Sequence, residues 1–128
     1  MAWNKSSENG YVVGKTADVI AMADSAQLNS DAITEDLSGK KIMVGVEIVI
    51  AGANVVADLE VWASPDGTNY AVVAADVIAD TTPDVVGTRV AQADLSSVTA
   101  PYYKLVLNAA AVDLDTTGRF KFIYAVKE

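Results

Sequence analysis

The sequence predicts an all-β antiparallel sandwich, of jelly-roll or immunoglobulin-like type, with an extended N-terminal arm. Three observations predict it. Four segments alternate apolar with other residues at period two, the spacing of a half-buried strand. Turn-forming residues recur every ten or so positions, as they do in sandwiches and barrels. Ala and Val dominate the apolar residues, which make up 52% of the chain. Small and β-branched side chains fill closely packed sheets better than they fill helix bundles. A chain of 128 residues suits one domain, here 16–128, with the arm over 1–15.

The arm comes first. Trp3 and Tyr11 sit among Asn, Lys, Ser and Gly, followed by Val12 and Val13, with too little apolar company for a core of their own. Thr16 to Ala23 reads as a strand or as a short helix, and 25–39 is polar with scattered apolar residues. The clearest strand begins at Ile42. There Ile42, Val44, Val46, Ile48 and Ile50 share one face, and Met43, Gly45, Glu47 and Val49 share the other. Ala51-Gly52-Ala53-Asn54 has the small and αL-tolerant residues of a tight connection. Val55, Ala57, Leu59 and Val61 then alternate with Val56, Asp58, Glu60 and Trp62, so 42–62 is expected as a hairpin with one dry and one mostly wet face.

Ser64-Pro65-Asp66-Gly67-Thr68-Asn69 is a turn by its chemistry. Pro presets φ, Asp bonds its own backbone and Gly takes positive φ. Tyr70 to Ala75 is the next expected strand, 80–84 a loop that Pro83 keeps out of a central strand, and Val85 to Ala93 a strand interrupted by Gly87. After a connection over 96–101, Tyr103, Leu105 and Leu107 alternate with Tyr102, Lys104 and Asn108. Phe120, Phe122, Tyr124 and Val126 alternate with Arg119, Lys121, Ile123 and Lys127. The expected core holds Val44, Val46, Ile48, Leu59, Val61, Leu105, Leu107, Phe120 and Phe122.

Composition removes several functions. The chain has no Cys and no His, hence no Ser-His-Asp triad, no thiol nucleophile, no disulfide and no zinc site of the usual type. Seventeen acidic against nine basic side chains leave a net charge of −8, which argues against a nucleic-acid backbone as partner. The first eight residues contain no apolar run of the kind a secretory leader needs. The most apolar stretch, 43–57, carries Glu47 and Asn54 and falls short of the roughly 20 residues of a membrane span. A soluble domain without a membrane partner is expected.

The near-miss motifs fail on spacing. Gly14-Lys15-Thr16 resembles the end of a phosphate loop, but only three residues separate Gly10 from Gly14 where that loop needs four. Asp113-Leu114-Asp115-Thr116-Thr117-Gly118 resembles the start of a calcium loop, yet Tyr124 stands where the closing Glu belongs. A hairpin turn explains it better. Asp58 and Glu60 lie about 7 Å apart along one strand, and a solvated sheet face accounts for both. Ser and Thr are plentiful without a nucleophile elbow or a base. No enzyme, cofactor or metal is expected. Trp3, Tyr11, Val12, Val13 and Trp62 remain as candidate partner-binding residues, because an aromatic outside the core is a frequent interface anchor.

Two stretches resemble small β-sandwich structural proteins of tailed bacteriophages, a group that includes head decoration (cement) proteins and tail and fibre modules. In Leu59-Glu60-Val61-Trp62-Ala63-Ser64-Pro65-Asp66-Gly67-Thr68-Asn69-Tyr70 a strand enters a Ser-x-Asp-Gly-x-Asn-aromatic turn. In Ala100-Pro101-Tyr102-Tyr103-Lys104-Leu105-Val106-Leu107 a strand has the form aromatic-x-basic-apolar-x-apolar. The resemblance covers about 38–127, and the same turn and strand also occur in carbohydrate-binding sandwiches. It implies a virion structural protein on the capsid surface, soluble in the host cytoplasm before assembly. Its implied partners are the major capsid protein, or another virion protein, and further copies of itself. The arm would clasp neighbours. The alternative is a carbohydrate-binding or adhesion module of a phage tail or cell surface, using Trp62, Tyr70, Tyr102 and Tyr103.

Overall fold

A computed structural model of the chain describes residues 5–8, 10–16, 19–21, 27–50, 57–81, 86–109 and 119–127. These residues form ten strands and no helix: β1 (Lys5–Glu8), β2 (Tyr11–Lys15), β3 (Ile20–Ala21), β4 (Gln27–Asn29), β5 (Lys41–Ile50), β6 (Ala57–Ser64), β7 (Ala71–Thr81), β8 (Gly87–Asp94), β9 (Tyr102–Ala109) and β10 (Arg119–Lys127). The larger sheet runs β1-β2-β10-β5-β8, with β3 also on β10; the smaller runs β4-β9-β6-β7. All pairings are antiparallel. The expected sandwich is the observed one.

Its order follows from one ribbon folded about the turn at 64–69. Strands nearly equidistant from Gly67 and Thr68 pair with one another: β6 with β7, β5 with β8, β4 with β9, and β2 with β10. Lys41 opposite Asp94, Gln27 opposite Asn108 and Tyr11 opposite Lys127 show the nesting. The ribbon then wraps so that β9 joins β6 and β10 joins β5. Nested pairs wrapped into two four-stranded layers make a jelly roll, which decides between the two sandwich types. β1 and β3 are additions to the larger layer.

Between the layers every expected core residue is buried, joined by Leu28, Ile33, Leu37, Ile42, Ala93, Leu95, Tyr103, Tyr124 and Val126. Polar groups tie the stretch 27–40 to this core. Ser30 Oγ accepts the N–H of Leu105 at 2.8 Å, and the Ser38 and Tyr103 hydroxyls lie 2.9 Å apart. Scattered apolar residues in a polar stretch are here core residues on an irregular strap.

Several elements depart from expectation. The 42–62 hairpin does not form: β5 lies in the larger sheet and β6 in the smaller. Two strands that bury the same kind of face can lie side by side or face to face, and alternation alone does not distinguish these. The β7 strand outlasts its expected end at residue 75 and runs to Thr81. It does so through register shifts against β6 and a positive φ of 50° at Asp76, which break the period-two signal. Residues 82–85, with Pro83, lie outside the described residues. Within Thr16 to Ala23 only Ile20–Ala21 is a described strand.

The arm is corrected too. Its described residues form a β1–β2 hairpin hydrogen-bonded to β10. Gly14 is buried opposite Tyr124, and a Cβ there would stand 2.4 Å from the tyrosine ring. Only glycine lets β2 lie under that ring. The Tyr124 hydroxyl in turn donates to Glu35 Oε2 at 2.5 Å. Burial and then this carboxylate push the phenol pKa well above its usual value.

Candidate functional site

The two outer faces of the sandwich differ in kind. On the smaller sheet, register puts Glu60, Trp62 and Ser64 of β6 beside Tyr102, Lys104 and Val106 of β9. Lys104 Nζ lies 5.1 Å from the centre of the Trp62 ring and 4.3 Å from that of Tyr70. Burial pushes the Lys104 ammonium pKa down. Trp62 Nε1 donates to Glu60 Oε1 at 3.1 Å, and Glu60 is only 8% exposed, so the expected solvated carboxylate is instead covered and partnered.

The neighbouring turn closes on itself. Asp66 Oδ1 accepts the N–H groups of Thr68 and Asn69, each at 2.8 Å, and Asn69 Nδ2 donates to Oδ2 at 2.6 Å. Ser64 Oγ donates to Asp66 Oδ1 and accepts the Gly67 N–H, both at 2.9 Å. The backbone bonds from Asn69 and Thr68, then those from the Asn69 and Ser64 side chains, hold the Asp66 carboxyl far below the usual carboxylate range. Gly67, at φ 79°, sits under the Tyr102 ring. Burial, then Asp66 and Tyr102, raise the Tyr70 phenol pKa. The two stretches that carry the phage-protein resemblance therefore pack on one another as a single unit.

The larger sheet is open on its outer side. Register aligns Val13, Ala125, Met43 and Gln92 in one row across the sheet, and Lys15, Ile123, Gly45 and Val90 in the next. Val90 is 61% exposed, Met43 and Tyr11 44% each, and Val13 39%. Val13, Met43, Val44, Val90, Ile123, Tyr124 and Ala125 line a shallow hollow of about 110 Å³. At Gly45 an added Cβ would meet the Arg89 carbonyl at 2.9 Å and the Ile123 and Val90 side chains at 3.0 Å, so these two side chains close over the glycine. Soluble proteins rarely leave a contiguous apolar face uncovered unless it is used.

The five candidate residues from sequence do not form one site. Tyr11 and Val13 lie on the open face of the larger sheet, with Lys127 Nζ 5.9 Å from the Tyr11 ring centre. Val12 turns the other way and packs on the core. Trp62 belongs to the smaller sheet, and Trp3 lies outside the described residues. Tyr103, expected among exposed aromatics, is wholly buried. Gly14 and Lys15 are strand residues, so the phosphate-loop fragment wraps nothing. The calcium-like stretch 113–118 lies outside the described residues. Met43, Val90, Ile123 and Ala125 were not singled out from sequence. A signal existed: the supposedly wet face of β5, Met43-x-Gly45-x-Glu47-x-Val49, has a single charged residue.

No family profile matches the sequence, and no curated protein matches it. Among solved structures the chain is similar to endo-1,4-β-D-xylanase 10B of Clostridium thermocellum, in its CBM22-1 and GH10 modules complexed with xylohexaose. The TM-score is 0.50 at 14% identity, over 99% of this chain and 24% of that one. It is also similar to the VP2 subviral particle of infectious bursal disease virus, with a TM-score of 0.48 at 13% identity, over 99% of this chain and 32% of that one. The chain thus spans a third or less of either. Likeness at such identity is likeness of fold.

Proposed function

We propose that this chain is a non-enzymatic virion structural protein of the capsid-decoration type, docking onto a phage shell through the outer face of the larger sheet. The observation that carries this reading is the uncovered apolar face around Val90, Met43 and Val13. All of its strands are hydrogen-bonded into the sheet, so it is a rigid surface ready to meet another. Rigid surfaces lose little entropy on binding. The resemblance of 59–70 and 100–107 to phage sandwich proteins supplies the context. Shell symmetry multiplies weak individual contacts into stable attachment.

The carbohydrate-binding alternative has less support. It needs flat, open aromatic faces, whereas Lys104 covers a face of both Trp62 and Tyr70, Tyr102 lies against Gly67, and Tyr103 is in the core.

The test is cosedimentation with shells assembled from the major capsid protein encoded alongside this chain. Saturable, stoichiometric binding is the expected result. Val90→Asp should abolish it at a cost in stability of only about 1 kcal/mol, because Asp is disfavoured in a strand while the core is untouched. Failure of the native chain to bind shells at micromolar concentration, together with a positive glycan array, would establish the alternative instead.

A further inference from the structure

We infer that the surface received by the larger sheet is an acidic protein surface with an apolar centre, neither a second copy of this face nor nucleic acid. The inference deepens the decoration reading and rests on it for the identity of the partner. It starts from where the few cations stand. At one end of the apolar rows are Lys127 and Lys41, the latter opposite Asp94; at the other are Lys15 and Lys121, with Glu47 opposite Lys121. Among the described side chains this face therefore holds four cations against two carboxylates, on a chain whose net charge is −8. The smaller sheet has one cation, Lys104, and it lies against Trp62 and Tyr70.

This segregation narrows the choice of occupant. Pairing the face with itself about a twofold axis would bring two cationic rims together, and like charge across an interface is a device against such pairing. A nucleic-acid backbone would satisfy the cations but leave Met43, Val90 and Ile123 facing phosphates, and the rest of the chain would repel it. A protein surface with carboxylates around an apolar centre satisfies both parts of the face. Such complementarity acts mainly on the rate of encounter and weakens as salt shortens the screening length to several ångströms.

The experiment measures shell binding by the full chain at 25, 150 and 500 mM NaCl. Beside it run K121Q/K127Q, and S97E/T99E as a control that lowers the net charge equally on an exposed connection away from the face. We expect affinity to fall by about tenfold or more across the salt series. K121Q/K127Q should bind about tenfold more weakly at low salt, and S97E/T99E should bind like the native chain. Circular dichroism and melting confirm that each variant is folded. Shell binding that is salt-insensitive and indifferent to K121Q/K127Q overturns the inference and leaves the decoration reading standing. No shell binding at any salt overturns both. Dimerisation in sedimentation velocity at 25 mM salt, or Lys-dependent binding of duplex DNA or of phosphatidylglycerol vesicles, overturns the inference by identifying another occupant.

Discussion

The outer face of the smaller sheet pairs its polar and aromatic groups with one another, leaving Val72 exposed beside Trp62, whereas the outer face of the larger sheet exposes a row of apolar residues. On the first, Lys104 lies against two rings, Trp62 donates to Glu60, and Asp66 is saturated by the turn it organises. On the second, Val90, Met43 and Val13 remain exposed. The residues that look most functional in the sequence, an outward Trp among Tyr, Lys and Glu, are those whose chemistry is already used internally. The plain face of Val and Met leaves apolar surface exposed. A polar or aromatic cluster points to a ligand only after its mutual contacts have been subtracted.

The same subtraction explains the family resemblance. Its two stretches are the tip of the folded ribbon and the strand that braces that tip, joined through Tyr102 on Gly67 and Lys104 on Tyr70. A pattern that encodes a stapled turn reports on how a sandwich is built and not on what it binds.

The two faces share one core, and the largest expected effect comes from there. Phe122→Ala empties a fully buried site on β10 and should cost about 3–5 kcal/mol. It should lower stability and shell binding together, so it calibrates what loss of fold looks like. Urea denaturation monitored by circular dichroism measures it. A cost under 1 kcal/mol would mean that the two layers are not packed as described.

Next is Gly14→Ala, which separates strand from arm. The added methyl would collide with the Tyr124 ring, and overpacking of this kind costs about 1–3 kcal/mol. A mobile arm would tolerate the change without loss. Because β2 contributes Tyr11, Val13 and Lys15 to the open face, binding should weaken as well.

These expectations also mark what the sequence could carry. Periodicity located β5, β6, β9 and β10 and nine core residues, because burial on one face writes itself into every second position. It could not assign β5 and β6 to different sheets, since that depends on partners and not on faces. β1, β2 and the strap at 27–40 were illegible for a related reason. They are short, and they rest on contacts distant in sequence, such as Gly14 with Tyr124 and Ser30 with Leu105. At the turn 64–69 the roles of Asp66 and Gly67 were legible; that the Ser64 and Asn69 side chains close it, and that it is the centre of the whole nested ribbon, were not.

A smaller effect tests the self-satisfied tip. The Asp66 carboxyl is held below its ordinary range by hydrogen bonds that only the ionised form accepts. A depressed folded-state pKa means this stabilisation is complete above the unfolded carboxylate value of about 3.9 and is lost as pH falls below it. Urea midpoints between pH 5 and pH 2 should therefore fall more steeply for the native chain than for Asp66→Asn. Parallel slopes would show that the turn does not depend on the charge. Shell binding at neutral pH should be indifferent to the substitution, because the turn is remote from the open face.

Smallest, and sharpest for the comparison, is Lys104→Met. The substitution keeps an apolar stem of similar length and removes the ammonium that lies against Trp62 and Tyr70. A partly exposed cation–π pair is worth about 0.5–1 kcal/mol, so melting should fall by only a few degrees. Removing the charge also replaces the ammonium over each ring by a flexible thioether that a sugar can displace, which makes this variant more favourable than the native chain for stacking on a sugar. If the smaller sheet is closed because its own residues complete it, Lys104→Met should bind shells like the native chain and remain blank on a glycan array. If instead the lysine conceals a functional platform, the variant gains glycan binding that the native chain lacks. The division between a finished face and an open one would then have to be redrawn around Trp62 and Tyr70.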